Sequence, residues 1–71
     1  MTIDELIVEA EALLHNILQQ IAVLEGEAQK MGIRARDLKL PDGSWPLAKL
    51  LTAEAQALSS LAQFRKEKLT T

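Results

Sequence analysis

One pattern constrains this chain more than any other. Apolar residues recur at Ile3, Ile7, Ala10, Leu14, Ile17, Ile21, Leu24, Ala28 and Met31, alternating steps of four and three without a miss. A helix turns 100° per residue, so this spacing draws one nearly straight seam along one side of a cylinder. A strand would need period two, and the pattern excludes it. The spacing predicts a helix over about 3–31. Thr2 and Glu5 stand at capping-box distance, and Asp4 and Glu5 suit the positive end of the helix dipole. Gly32 fits the position just past the last turn, with Ile33 as its apolar follower. Gly26 falls on the polar side, costs about 1 kcal/mol against alanine, and reads as a point of close backbone approach. Leu6, Leu13 and Leu18 widen the stripe beyond a two-stranded seam, which suits a bundle of three or more helices.

A second helix is expected over about 45–68. Ser44 is positioned to cap it, and Pro46 is tolerated in a first turn. Leu47, Leu50, Leu51, Ala55, Ala57, Leu58, Leu61, Ala62 and Phe64 fall on one broad face. Thr52, Gln56, Ser59, Ser60, Gln63 and Glu67 form the polar one. Between the helices, residues 32–44 are longer than a simple reversal requires. Pro41-Asp42-Gly43 is a turn signal: a fixed φ, an acceptor side chain, then a permissive backbone. Residues 34–40 suit a short helical turn or an extended arm. Ile33, Leu38 and Leu40 are expected to fold back over the end of the bundle, with Trp45 packing against Met31, Ile33 or Leu40.

The fold these elements imply is all-α: an antiparallel two-helix hairpin with a long connecting loop, one domain over 1–71. Two helices cannot enclose a core, and a 71-residue chain without cysteine has no disulfide or thiolate zinc site to staple it. Self-association into a four-helix or larger bundle is the expected remedy. Its interface would use Ile7, Leu14, Ile17, Ile21, Leu24, Leu51, Leu58 and Leu61. Charge supports the hairpin. Residues 1–29 hold six carboxylates and no cation, −6, whereas residues 30–71 hold eight cations and four carboxylates, +4.

The chemical inventory is thin. His15 is the one side chain whose ordinary pKa lies near neutrality. Glu11 and Gln19 flank it at helical spacing, a pairing that suits general-base or metal chemistry but supplies too few ligands for a closed site. Glycine-rich phosphate loops, nucleophile elbows and EF-hand patterns are absent. No catalytic residue, metal site or cofactor is expected. Two charges interrupt the apolar face of helix 2: Glu54, expected to meet Lys49, Arg34 or Arg36, and Arg65, expected to meet Asp4, Glu5 or Glu9. Either also suits a ligand or partner contact. Lys30, Arg34, Arg36 and Lys39 cluster in the connection, with Trp45 just beyond. Arginine forks and an indole face suit a small anionic ligand or an acidic protein surface. An acidic overall balance argues against duplex nucleic acid.

No continuous apolar run approaches the roughly 18 residues of a membrane span, and helix 1 carries carboxylates where a lipid-surface helix carries cations. A cytoplasmic protein is expected. The arrangement resembles the short helical hairpins of small bacterial and phage accessory proteins, a likeness that no motif carries. The leading function is a non-enzymatic, homo-oligomeric interaction protein that binds and inhibits or regulates another macromolecule. A second is sequestration of a small anionic, nucleotide-like ligand by the basic loop, and a third is a structural assembly subunit.

Overall fold

A computed structural model describes residues 1–70. The chain forms α1 (Ile3–Lys30), a single 3₁₀ turn (Ala35–Asp37) and α2 (Pro46–Thr70). α1 starts where the capping pair predicts. The Thr2 hydroxyl oxygen accepts from the Glu5 backbone N–H at 3.2 Å and donates its proton to the Glu5 carboxylate at 3.1 Å. It stops because Gly32 takes a φ of +73°. Ile33 N–H then reaches the Ala28 carbonyl and Gly32 N–H reaches that of Gln29, both at 3.0 Å. These two bonds satisfy carbonyls that the last turn would otherwise leave open.

α1 and α2 run antiparallel. Lys68, in the last turn of α2, pairs with Asp4 in the first turn of α1 at 2.6 Å, and Arg65 approaches Glu11 at 4.0 Å. Eight of the nine seam positions are buried or half-buried, and Met31 is exposed. The centre of the contact is Ile17 and Ile21 against Ala57, flanked by Leu14, Leu47, Leu50 and Ala53. Ala28, 1% exposed, and Ala57, 4%, show why the helices lie close: a methyl group there leaves room for the opposing backbone.

α2 turns a narrower and rotated stripe toward α1. Ala57 and Leu61 are buried, and Leu47, Leu50, Ala53, Glu54 and Phe64 half-buried. Leu51, Ala55, Leu58 and Ala62, expected on the packed face, are exposed. A single neighbouring helix covers one strip of a cylinder, so a broad apolar face is only partly used.

The connection departs from expectation at three points. Ser44 does not cap α2. Its hydroxyl donates to Asp42 Oδ1 at 2.6 Å, and the first helical bond runs from Lys49 N–H to the Trp45 carbonyl at 3.2 Å, with Pro46 in the first turn. Leu38 is half-buried over the hairpin end, but Ile33 and Leu40 are exposed, because an end only 19 × 17 Å across has no interior to plug. Gly26 is not a contact point: a Cβ built there meets nothing within 4 Å.

α1 is also the one helix among the described residues long and apolar enough to cross a membrane, with a mean hydropathy of 1.2 in its best window. Glu11, His15 and Gln19 lie along one side of it, and 11% of that window is buried in the hairpin.

Gly26 lies in a helix, exposed, with open space around it. Gly26→Ala should therefore stabilise the fold by about 0.5–1 kcal/mol, measured as a rise in the urea midpoint at unchanged m. An unchanged or lowered midpoint would show that the position carries a contact.

Candidate functional site

The residues singled out in the sequence fall into three places. At the loop end, Arg34, Arg36 and Lys39 are exposed, and none makes an ion pair among the described residues. Trp45 is 47% exposed and not the buried anchor expected. Lys39 Nζ sits 5.5 Å from the centre of its ring, a cation–π contact that occupies one indole face. The turn itself is tightly bonded. Gly43 N–H reaches the Leu40 carbonyl at 2.9 Å with Gly43 at φ +87°, and Leu40 N–H reaches the Ser44 carbonyl at 2.9 Å. The Ser44 hydroxyl and backbone N–H both donate to Asp42 and hold its carboxyl below the usual range.

The second place is the face carrying Leu18, Leu51 and Leu58, all exposed. Glu54 stands three residues after Leu51 and four before Leu58, which makes them neighbours on the helix surface. It is half-buried and has no ion pair among the described residues; Lys49, Arg34 and Arg36 do not reach it. Arg65 meets Glu11 rather than Asp4, Glu5 or Glu9, because Lys68 reaches Asp4. Both pairs are exposed at the edge of the hairpin, where such pairs contribute roughly 0–1 kcal/mol.

The third place was not foreseen as a site. An open groove of about 770 Å³ follows the α1–α2 seam on the opposite side from Leu18 and Leu58. Leu6, Leu13 and Ile17 line it from α1, and Leu50, Ala53 and Phe64 from α2. Glu9, Gln20, Gln56 and Ser60 form its rim. Of the expected interface residues, Ile17, Ile21, Leu24 and Leu61 are buried between the two helices, Ile7 and Leu14 half-buried, and Leu51 and Leu58 exposed. The widening of the stripe by Leu6 and Leu13 was the available signal for the groove. Gln56 and Ser60, read as the polar face, line its wall.

His15 lies on the outer surface. The Gln19 amide N–H donates to its Nε2 at 3.1 Å, so this nitrogen is an acceptor already in use. Among the described residues no group of three or more metal-ligating side chains converges. The arrangement offers apolar surface, cations and one indole edge.

No protein-family model, no curated protein and no solved structure matches this chain.

Asp42 gives the loop a pH signature. Its folded pKa is depressed, so the ionised form favours the folded turn. That contribution is present above the ordinary aspartate value and is lost as pH falls through the depressed one. In a carboxyl ¹³C NMR titration Asp42 should titrate below the ordinary aspartate value, and Ser44→Ala should raise its midpoint. A midpoint indifferent to Ser44→Ala would remove the assigned cause.

Proposed function

We propose that this chain is a non-enzymatic interaction protein whose hairpins associate with one another through the groove. The assembly presents its remaining surface to another macromolecule that it binds and inhibits or regulates. The observation that carries the self-association is exposed area. The hairpin exposes 5353 Å². A compact monomer of 7.8 kDa would expose about 4,400 Å². The surplus of about 1,000 Å² is the size of one partner's share of a standard protein–protein interface. The radius of gyration, 15.4 Å, likewise exceeds the roughly 11 Å of a compact 71-residue domain. Part of that surplus lies in the groove, where Leu13 is exposed and Leu6, Leu50 and Phe64 half-buried, and part on the opposite face with Leu18, Leu51 and Leu58. A cytoplasmic setting belongs to the same reading, supported by the polar outer side of α1.

Sedimentation equilibrium tests it. The chain should sediment as a dimer or larger at micromolar concentration. Leu13→Lys, a groove residue already 55% exposed, should keep helical circular dichroism while weakening association at least tenfold. Leu51→Lys, on the other face, should leave association unchanged. Ile17→Glu should unfold the chain, because that side chain is buried in the seam. A wild-type monomer, or assembly indifferent to Leu13→Lys, would overturn the reading.

A second reading rests on Trp45 and the unpaired Arg34 and Arg36: the loop end holds a small anion. With ATP as the probe, it expects a rise in melting temperature that Arg34→Ala with Arg36→Ala abolishes. No rise with the wild-type chain would remove it.

A further inference from the structure

One end of the rod differs from the rest of its surface. We propose that the loop end docks end-on onto an anionic lipid bilayer, with Trp45 at the level of the headgroups. The proposal goes beyond association through the groove and concerns a different part of the hairpin.

The chain between the helices rises little. α1 has 28 residues, about 42 Å by the helical rise, in a rod 49 Å long. The connection therefore extends no more than about 7 Å beyond α1. It forms a cap no wider than the rod, 19 × 17 Å. Four large apolar side chains are exposed there: Met31 at 63%, Ile33 at 39%, Leu40 at 42% and Trp45 at 47%. Lys30, Arg34, Arg36 and Lys39 are exposed in the same segment. Lys39 Nζ stands 5.5 Å from the centre of the Trp45 ring, so a cation and an indole are held side by side.

A free anion has use for the cations alone. A headgroup region takes both classes: lipid phosphates and carboxylates meet the cations, while indole and aliphatic side chains enter the boundary with the acyl chains. Interfacial segments bury their apolar groups about 5–10 Å into that boundary. This depth matches the height of the cap, so all four apolar side chains are immersed whichever way round the rod they point. The backbone tolerates the move. Gly32, Ile33, Asp37, Leu38, Leu40 and Gly43 each donate an N–H to a backbone carbonyl, and groups already bonded cost less to take out of water.

Apolar residues are exposed at the other end too, Met1 and Leu69 among them. Charge separates the two ends. Residues 30–46 hold four cations and two carboxylates, +2, whereas residues 1–11 with 61–70 hold three cations and five carboxylates, −2. Glu27 and Glu25 stand roughly 5 and 8 Å behind Lys30 on α1. With the height of the cap added, both lie more than a Debye length of about 10 Å from the tip. An anionic surface therefore attracts the loop end, repels the other and stands the rod upright. The carboxylates along α1 keep its length off the lipid, which makes the contact end-on.

Trp45 is the only tryptophan, so its fluorescence reads the loop end. The full chain is titrated with vesicles of equimolar phosphatidylcholine and phosphatidylserine, and with phosphatidylcholine alone. The mixed vesicles should shift Trp45 emission to the blue and carry the protein down on sedimentation, and neutral vesicles should do neither. Brominated acyl chains should quench Trp45. Arg34→Ala with Arg36→Ala should weaken binding at least tenfold, from about fivefold for each cation, with helical circular dichroism unchanged. Lys66→Ala, near the other end, should leave binding unchanged. Binding indifferent to the double arginine variant would overturn the proposal. So would co-sedimentation without a change in Trp45 emission, because another surface would then hold the lipid. No binding to the mixed vesicles would overturn it and leave the cations to an acidic protein surface, or to a free anion if ATP shifts Trp45 emission where vesicles do not. None of these outcomes touches association through the groove, which Leu13→Lys reads separately.

Discussion

The structure depends on one strip of contact between two helices. A helix in a multilayer domain can bury most of its circumference, but here each helix has a single neighbour. The strip is kept close by small residues, Ala10 and Ala28 from α1 and Ala57 from α2, with Ile17, Ile21, Leu24 and Leu61 filling the spaces between them. Among the described residues no large side chain is fully buried. Everything else follows from this economy. Leu6 and Leu13 fall to one side of the strip and Leu18 and Leu58 to the other, all of them too far round the cylinder to be covered. The hairpin is a half-built layer, 49 Å long and under 20 Å in its other dimensions.

The connection shows how the fifteen residues between Lys30 and Pro46 can be ordered without a core beneath them. Local hydrogen bonds do the work that packing does elsewhere. The carbonyls of Ala28 and Gln29 are closed by Ile33 and Gly32, and the Leu40–Ser44 turn is closed by its own backbone and by Asp42. Both glycines with positive φ stand where these turns require it. Because the order is local, the side chains of the loop are not consumed in holding it. Arg34 and Arg36 remain in water, and Trp45 keeps an exposed edge.

What could be read from the residues differs between the helices for a physical reason. α1 concentrates its largest aliphatics in one strict seam, so its buried side was legible position by position. α2 spreads leucines and alanines around most of its circumference: Leu47, Leu50, Leu51, Leu58 and Leu61 with Ala48, Ala53, Ala55, Ala57 and Ala62. A stripe that broad does not specify which part faces α1. The partner decides, and it selected the side with Ala57 and Leu61. Glu54 marks the boundary of that choice, half-buried beside the seam rather than central to a contact. The Arg65 partner was misjudged because Lys68 takes Asp4. The groove was hidden for the same reason as the α2 rotation: it is made by two helices, and neither contains it alone.

Charge and apolar surface act at different ranges in such a molecule. The apolar strip sets how closely helices approach, but it is nearly indifferent to which helix approaches, since leucine and alanine line both sides of the groove. Charge is the term that discriminates, because carboxylates gather on α1 and cations on α2 and the connection. Individual exposed pairs contribute little in salt. Repeated along a whole helix, however, the same sign disfavours every register of α1 against α1. Within the chain that segregation sets Asp4 against Lys68 and Glu11 against Arg65, along the edge away from the groove.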